Sequence, residues 1–67
     1  MEREISLRGI VYDKYKSISK LADAIGWSRQ KTSNIINGVV EPSLSDTDKL
    51  SKALDLSFER TARFFLP

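Results

Sequence analysis

The sequence contains no cysteine and no histidine among its 67 residues. Without cysteine the chain cannot form a disulfide, and without either residue only Asp and Glu oxygens are left as metal ligands. The usual general base and the usual soft nucleophile of enzymes are missing too. We therefore expect neither an enzyme nor a metal or cofactor site. The lack of cysteine also fits a cytoplasmic protein.

Long apolar runs are missing as well, and the opening Met-Glu-Arg-Glu lacks the character of a signal peptide. We expect no membrane-spanning segment. The three glycines, Gly9, Gly26 and Gly38, are too far apart to form a phosphate-binding loop, and no small-molecule ligand is evident. A chain of this length makes a single domain, residues 1–67, and buries only about 60% of the surface of its unfolded form.

The net charge is small, at +2, but its distribution along the chain is uneven. Residues 14–38 carry five basic residues against one acidic residue, a net charge of +4. Residues 41–59 carry two basic residues against five acidic ones, a net charge of −3. A basic patch is typical of a protein that binds a polyanion, although charges on solvated helices also cluster by chance. Charge alone leaves both interpretations open.

The apolar spacing predicts an all-α protein of five short helices, because no strand-like alternation competes with it. We expect the first helix from about Glu4 to Tyr15, and a second backbone packed close to Gly9 would explain that glycine. Ser17 is placed to cap a second helix, Ile18 to Ile25. Inward-facing side chains are expected at Leu7, Ile10, Val11, Tyr15, Leu21, Ala22 and Ile25.

Serines also precede the three later helices. Ser28 caps the third helix, which runs to about Asn37, and Gly26 and Gly38 end helices two and three. A loop follows, since Pro42 disfavours helical geometry in the residue before it. The fourth helix runs to about Leu54 and the fifth follows Ser57. Either Ser43 with Asp46 or Ser45 with Asp48 is expected to cap the fourth helix. The inward-facing side chains of that helix are expected to be Leu44, Thr47, Leu50, Ala53 and Leu54. The fifth helix is expected to carry Phe58, Ala62, Phe65 and Leu66.

The stretch "WSRQKTSNIING", residues 27–38, has the polarity of an amphipathic helix reversed. Its apolar strip is narrow, and polar side chains occupy the i, i+3, i+4, i+7 positions that are usually apolar. Asn and Ser are poor helix formers, so Lys, Glu or Ala would serve an idle surface better. The strip consists of Thr32, Ile35 and Ile36, and the polar row of Gln30, Ser33, Asn34 and Asn37.

The spacing before this stretch predicts a helix-turn-helix formed by helices two and three. Two helices that meet at a steep angle need a small residue at the crossing and a left-handed residue in the turn. Ala22 and Gly26 meet these needs, and the next helix begins two residues later. Trp27 and Tyr15 are expected in the core rather than stacked on bases.

The segment "ISKLADAIGWSRQKTSNIING", followed by "EPSLSDTDKLSKALDL", resembles the lambda-repressor-like, or XRE-type, helix-turn-helix proteins. The resemblance implies a five-helix domain whose third helix lies in the major groove of double-stranded DNA. The sequence departs from the usual pattern of the family at Thr32, where Ile or Val is usual, and at Ile18, where many members carry a phosphate-binding Gln. Residues 39–41 also lack the Lys or Arg of many relatives.

The resemblance gives the polar row a chemical role. Side-chain amides match adenine N6/N7 in the major groove, and Arg matches guanine O6/N7. We expect Gln30 and Asn34 to contact bases, Arg29 a base or a phosphate, and Ser33 the edge of the site; a merely solvated helix face is the alternative. Phosphate contacts are expected from Ser17 (or Ser19 in its place), Ser28, Lys31, Asn37, Lys14, Lys16 and Lys20. Instead of contacting a phosphate, Asn37 could equally help to end the helix. Lys14, Lys16 and Lys20 could simply be solvated.

In a chain expected to be a single domain, the resemblance implies a small transcriptional repressor, similar to the Cro type, that acts in the cytoplasm on the nucleoid. A homodimer is expected, with half-sites about one helical turn, ~34 Å, apart. Its candidate interface residues are Phe58, Phe64, Phe65 and Leu66, although one of the adjacent phenylalanines could instead fill the core and the other lie under a neighbouring helix. The alternative function is a protein-interaction module, antitoxin- or adaptor-like, that does not bind DNA. The weak net charge and the non-basic residues 39–41 favour it.

Overall fold

The computed structural model describes residues 6–66, and the regular secondary structure in that range is entirely α-helical. The second helix lies at the centre of the fold and contacts the first, third and fourth helices. The fifth helix packs on the fourth. The predicted all-α architecture is confirmed. The helices are α1 (Leu7–Tyr15), α2 (Ile18–Ile25), α3 (Arg29–Ile36), α4 (Leu44–Leu54) and α5 (Phe58–Arg63).

Every one of these helices follows a serine in extended conformation. In each, the serine Oγ accepts a hydrogen bond from the backbone N–H three residues later. A serine N-cap contributes about 1 kcal/mol to helix stability. In α4 the Asp46 carboxylate also accepts from the Ser43 N–H at 3.3 Å, so Ser43 with Asp46 forms the capping box. The five caps are Ser6, Ser17, Ser28, Ser43 and Ser57.

Helix α1 begins later than expected. Ser6 is its N-cap, with φ −84° and ψ 154°, so the helix starts at Leu7. Glu4 lies outside the described residues. The explanation offered for Gly9 was wrong: among the described residues, a Cβ added to Gly9 would meet only the Ser6 Oγ, at 3.1 Å. The missing side chain makes room for the cap rather than for another helix.

Eight apolar side chains form the core, and they come from α1, α2, α3 and α4. The inward side of α3 is as predicted, because Thr32, Ile35 and Ile36 are all buried. The core consists of Leu7, Val11, Leu21, Ala22, Ile35, Ile36, Leu50 and Leu54. Ile10, Tyr15, Ile25 and Ala53 are partly buried against it.

Three buried threonines share one hydrogen-bonding arrangement. The Oγ1 of Thr32, Thr47 and Thr61 donates to the carbonyl of the cap serine four residues earlier, at 2.8, 2.9 and 3.0 Å. A buried hydroxyl costs little once it has a partner. Thr32 therefore fits a position where an apolar residue is usual, and no buried side-chain N or O within residues 6–66 lacks a partner.

Two predictions about apolar residues were wrong. Leu44 is 79% exposed, because the first turn of α4 projects beyond the core and burial starts at Thr47. Helix α5 ends at Arg63, so Phe65 and Leu66 are not part of it. Because Phe64 and Phe65 lie in the turn after the helix, both can pack partly against the core.

Candidate nucleic-acid interface

The turn between α2 and α3 has the geometry that the spacing predicted. Ala22 is fully buried in the last turns of α2. Gly26 has φ 89°, and the N–H groups of Gly26 and Trp27 both donate to the Ala22 carbonyl, at 2.8 and 3.0 Å. Trp27 packs against the core as expected. Tyr15 does so too, and its hydroxyl donates to the Ala53 carbonyl at 2.6 Å.

Helix α3 turns its polar row away from the core. Gln30 and Asn37 are exposed, and Ser33 and Asn34 are half-buried at the flank of the helix. The opposite face carries the buried apolar strip. The amides therefore lie where a molecule outside the protein can meet them.

Hydrogen bonds order the row into two pairs along the helix. The Gln30 Nε2 donates to the Asn34 Oδ1 at 3.0 Å, and the Asn37 Nδ2 donates to the Ser33 Oγ at 3.1 Å. Each bond uses only part of the capacity of its two groups. Gln30 keeps its Oε1 acceptor and Asn34 keeps its NH2 donors for an external partner.

An open concavity of about 460 Å³ lies between the first residues of α2 and α3. Both helices start at this surface, and helix N-termini carry partial positive charge. The surface is therefore suited to an anion or to electron-rich acceptor atoms. Its lining residues are Ile18, Arg29, Gln30 and Ser33.

The residues expected to contact phosphates belong to α1, α2 and α3 or to the caps of these helices. The Ser17 and Ser28 hydroxyls accept backbone N–H bonds as caps, and a hydroxyl that accepts one bond still has a proton to donate. Lys14, Lys16 and Lys20 are exposed. Lys16 ends α1 in a left-handed conformation, with φ 74°.

Lys31 has a partner that the sequence did not reveal. Its Nζ lies 3.3 Å from the Asp46 Oδ1 and 4.9 Å from the centre of the Trp27 ring. Burial alone would raise the pKa of Asp46, but hydrogen bonds from the Ser43 backbone, the Lys31 ammonium and the Ser43 side chain, with the Lys31 charge, outweigh it. The pKa of Asp46 is therefore below its ordinary value. This ion pair ties α3 to the start of α4.

A second groove, of about 310 Å³, lies between the loop after α3 and the last described residues of the chain, which both line it. Leu66 is 66% exposed here, and Val40 is 47% exposed. Of the predicted interface residues, Phe64, Phe65 and Leu66 line this groove, whereas Phe58 does not. We call Val40, Phe64, Phe65 and Leu66 the apolar patch. Sequence reasoning missed Val40 because it considered the loop only for basic residues.

The described part of the chain has neither a membrane-spanning helix nor a metal-binding cluster. None of the helices there has the length and apolar character needed to span a bilayer. No group of three or more Asp or Glu side chains in residues 6–66 is placed to hold a metal ion.

The fold and the outward polar helix define a helix-turn-helix protein of the DNA-binding regulator class. A family model described as "Helix-turn-helix" matches residues 13–60, which include α2, α3 and α4. The chain belongs to this family of lambda-repressor-like, XRE-type helix-turn-helix proteins. No curated protein and no solved structure matches the chain.

Proposed function

We propose that the protein binds double-stranded DNA sequence-specifically and acts as a small transcriptional repressor, with α3 and its caps, residues 28–37, in the major groove. The observation that carries this proposal is the position of the polar row on the outer side of α3, opposite the buried strip. A major groove about 12 Å wide admits one α-helix, which must present hydrogen-bonding groups to the base edges.

Gln30 and Asn34 are the proposed adenine contacts. The hydrogen bond between them, 3.0 Å long, limits the rotation of both side chains before DNA arrives. Less side-chain entropy is then lost on binding. Arg29, exposed at the first turn of α3, is proposed to contact a guanine or a phosphate, and Ser33 the neighbouring edge. Each good bidentate contact contributes about 1–3 kcal/mol of discrimination.

Phosphate contacts on both sides of α3 would position the helix. The cap hydroxyls of Ser17 and Ser28 are proposed as donors to phosphate oxygens, and Asn37 as a further donor. Lys31 contributes less charge than its neighbours, because Asp46 already balances it. The remaining proposed phosphate contacts are Lys14, Lys16 and Lys20, which are exposed.

The apolar patch supports a homodimer. The groove that holds the patch is also lined by Gly38, which follows α3, so an interface there would place the two copies of α3 close to the dimer axis. Exposed Val40 and Leu66 would lose water contact in such an interface. Two α3 helices side by side would reach major grooves about one turn, ~34 Å, apart on the nucleoid DNA of the cytoplasm.

Selection of bound sites from a pool of random duplexes tests the proposal. We expect a two-fold symmetric consensus that includes A·T pairs at the positions facing Gln30 and Asn34. The logarithm of the affinity should fall linearly with the logarithm of the salt concentration. A reporter whose promoter overlaps the selected site should be silenced by the protein. A chain that binds no duplex at any salt would instead be a protein-interaction module.

A further inference from the structure

One apolar side chain lies in the otherwise polar concavity between α2 and α3. Ile18, the first residue of α2, lines it together with Arg29, Gln30 and Ser33. Ile18 is half-buried: part of it packs against the core, and part remains at the surface of the concavity. Its position therefore exposes a fixed hydrocarbon surface beside the proposed base-contacting residues.

Few groups of DNA can make a favourable contact with an apolar side chain at this position. It can neither donate to a phosphate nor accept from a base. Among the groups displayed in the major groove, the C5-methyl of thymine is the apolar one, and apolar side chains contact it. We propose that Ile18 contacts a thymine methyl group and so determines specificity at that position. This inference rests on the proposed function.

The placement of Gln30 narrows the location of that thymine. An A·T pair displays adenine N7 and N6 and thymine O4 and methyl on the same edge of the groove. Gln30 and Ile18 line one concavity, so their partners lie on the same base pair or on adjacent pairs. The proposed thymine contact of Ile18 therefore adds to the proposed adenine contact of Gln30 on the same base pair or the next one.

Substitution of deoxyuridine for thymidine tests this, because it removes the methyl and leaves every hydrogen-bonding group in place. Each thymine of the selected duplex is replaced in turn, with its symmetry mate. We expect the wild-type protein to lose about fourfold in affinity per half-site at one thymine, the value for one buried methyl group. Ile18→Ala should be indifferent to uracil at that same thymine, which makes the two changes non-additive.

Ile25→Ala is the matched control. Ile25 is also a half-buried isoleucine of α2, but it lines a different concavity with Lys49 and Lys52. This variant should retain the full uracil effect even if its stability is lowered. The scan with the wild-type protein needs no variant, so a folding defect of Ile18→Ala cannot hide the result.

Two results would overturn the inference while leaving the proposed function intact. One is wild-type affinity that no uracil reduces. The other is an equal uracil effect in wild type and Ile18→Ala, which would assign the methyl contact to another side chain. Absence of affinity for every unmodified duplex would overturn the proposed function and this inference together.

Discussion

At the scale of single residues, α3 carries the side chains that stabilise the fold and those that we propose contact DNA on opposite faces. Thr32 is fully buried and its hydroxyl is bonded to the Ser28 carbonyl, whereas Gln30, two residues earlier, is exposed. Changes at buried positions alter the free energy of unfolding, and changes at exposed ones alter it by no more than about 0.5 kcal/mol. The outer residues of α3 can therefore be varied for their effect on binding.

Gln30→Ala should relax the base preference at one position per half-site. The expected loss is about 1–3 kcal/mol on the preferred duplex and little on a scrambled duplex, because only a base contact is removed. Competition binding with single-base variants of the selected site measures it. Lys49→Ala, on the exposed side of α4, is the control and should leave the preference unaltered. An unchanged consensus for Gln30→Ala would show that Gln30 does not contact a base.

Lys16→Gly should affect stability and binding in opposite directions. Lys16 holds φ 74°, where glycine has no steric penalty, so unfolding should cost about 0.5–1 kcal/mol more in the variant. The lost ammonium should weaken binding to all duplexes alike and lower the salt slope by about 0.9. Urea unfolding and a salt titration of affinity give the two values. Affinity and slope equal to wild type would place Lys16 away from the phosphates.

At the scale of elements, the Lys31–Asp46 ion pair links the proposed recognition helix α3 to the first turn of α4, in addition to the shared core. The Lys31 side chain is 45% exposed and that of Asp46 19% exposed, so the pair is shielded from solvent on one side. Asp46 also completes the capping box of α4. One carboxylate therefore supports both the start of α4 and the position of α3.

This arrangement predicts an acid-sensitive contribution to stability. The pKa of Asp46 is lowered in the folded protein, so its stabilising effect is present above the unfolded pKa and lost as the pH falls through the folded pKa. Asp46→Asn should be less stable than wild type at neutral pH, and the difference should shrink below about pH 4. Urea midpoints across pH measure this.

Asp48→Asn is the control for that experiment. Asp48 pairs with Lys52 at 3.2 Å on the surface of the same helix, with half of its side chain exposed. An exposed i, i+4 pair contributes about 0.3–0.5 kcal/mol, so this variant should differ little from wild type at neutral pH. A gap between wild type and Asp46→Asn that stays constant down to pH 2 would contradict the role given to the Asp46 charge.

At the scale of the whole molecule, two surfaces divide the work that we propose. The concavity lies between the first residues of α2 and α3, and the polar row runs along α3. The apolar patch begins in the loop after α3. Binding of DNA and self-association would therefore use adjacent but separate surfaces. A substitution in the polar row should leave self-association intact, whereas a substitution that breaks the dimer should also weaken binding to a two-fold symmetric site.

Leu66→Glu should prevent dimer formation without unfolding the domain, because Leu66 is 66% exposed in the monomer and a charge there would lose hydration in the interface. Sedimentation over a range of protein concentrations measures it. Leu44→Glu, at a leucine that is 79% exposed outside the patch, should dimerise as wild type does. Identical self-association of all three proteins would exclude the patch as the interface.

The sequence alone sufficed for features that depend on contacts within a few residues. Serine caps bond to N–H groups three residues on, and Gly26 adopts its left-handed turn without distant partners. For this reason the starts of α2, α3 and α5 and the helix-turn-helix could be predicted, and the start of α4 was narrowed to a cap by Ser43 or Ser45, of which the structure has Ser43. The outward position of the polar row followed as well, because 3.6-residue periodicity fixes which side chains share a face. The DNA contacts themselves stay predictions.

Tertiary packing decided what periodicity cannot express. Leu44 has the spacing of an inward residue, yet it is exposed in the first turn of α4. Lys31 bonds to Asp46, 15 positions further along the sequence, and Val40 and Leu66 line one groove although they are further apart in sequence. Such neighbours depend on how the helices cross, and that angle is set by the whole core rather than by any one segment.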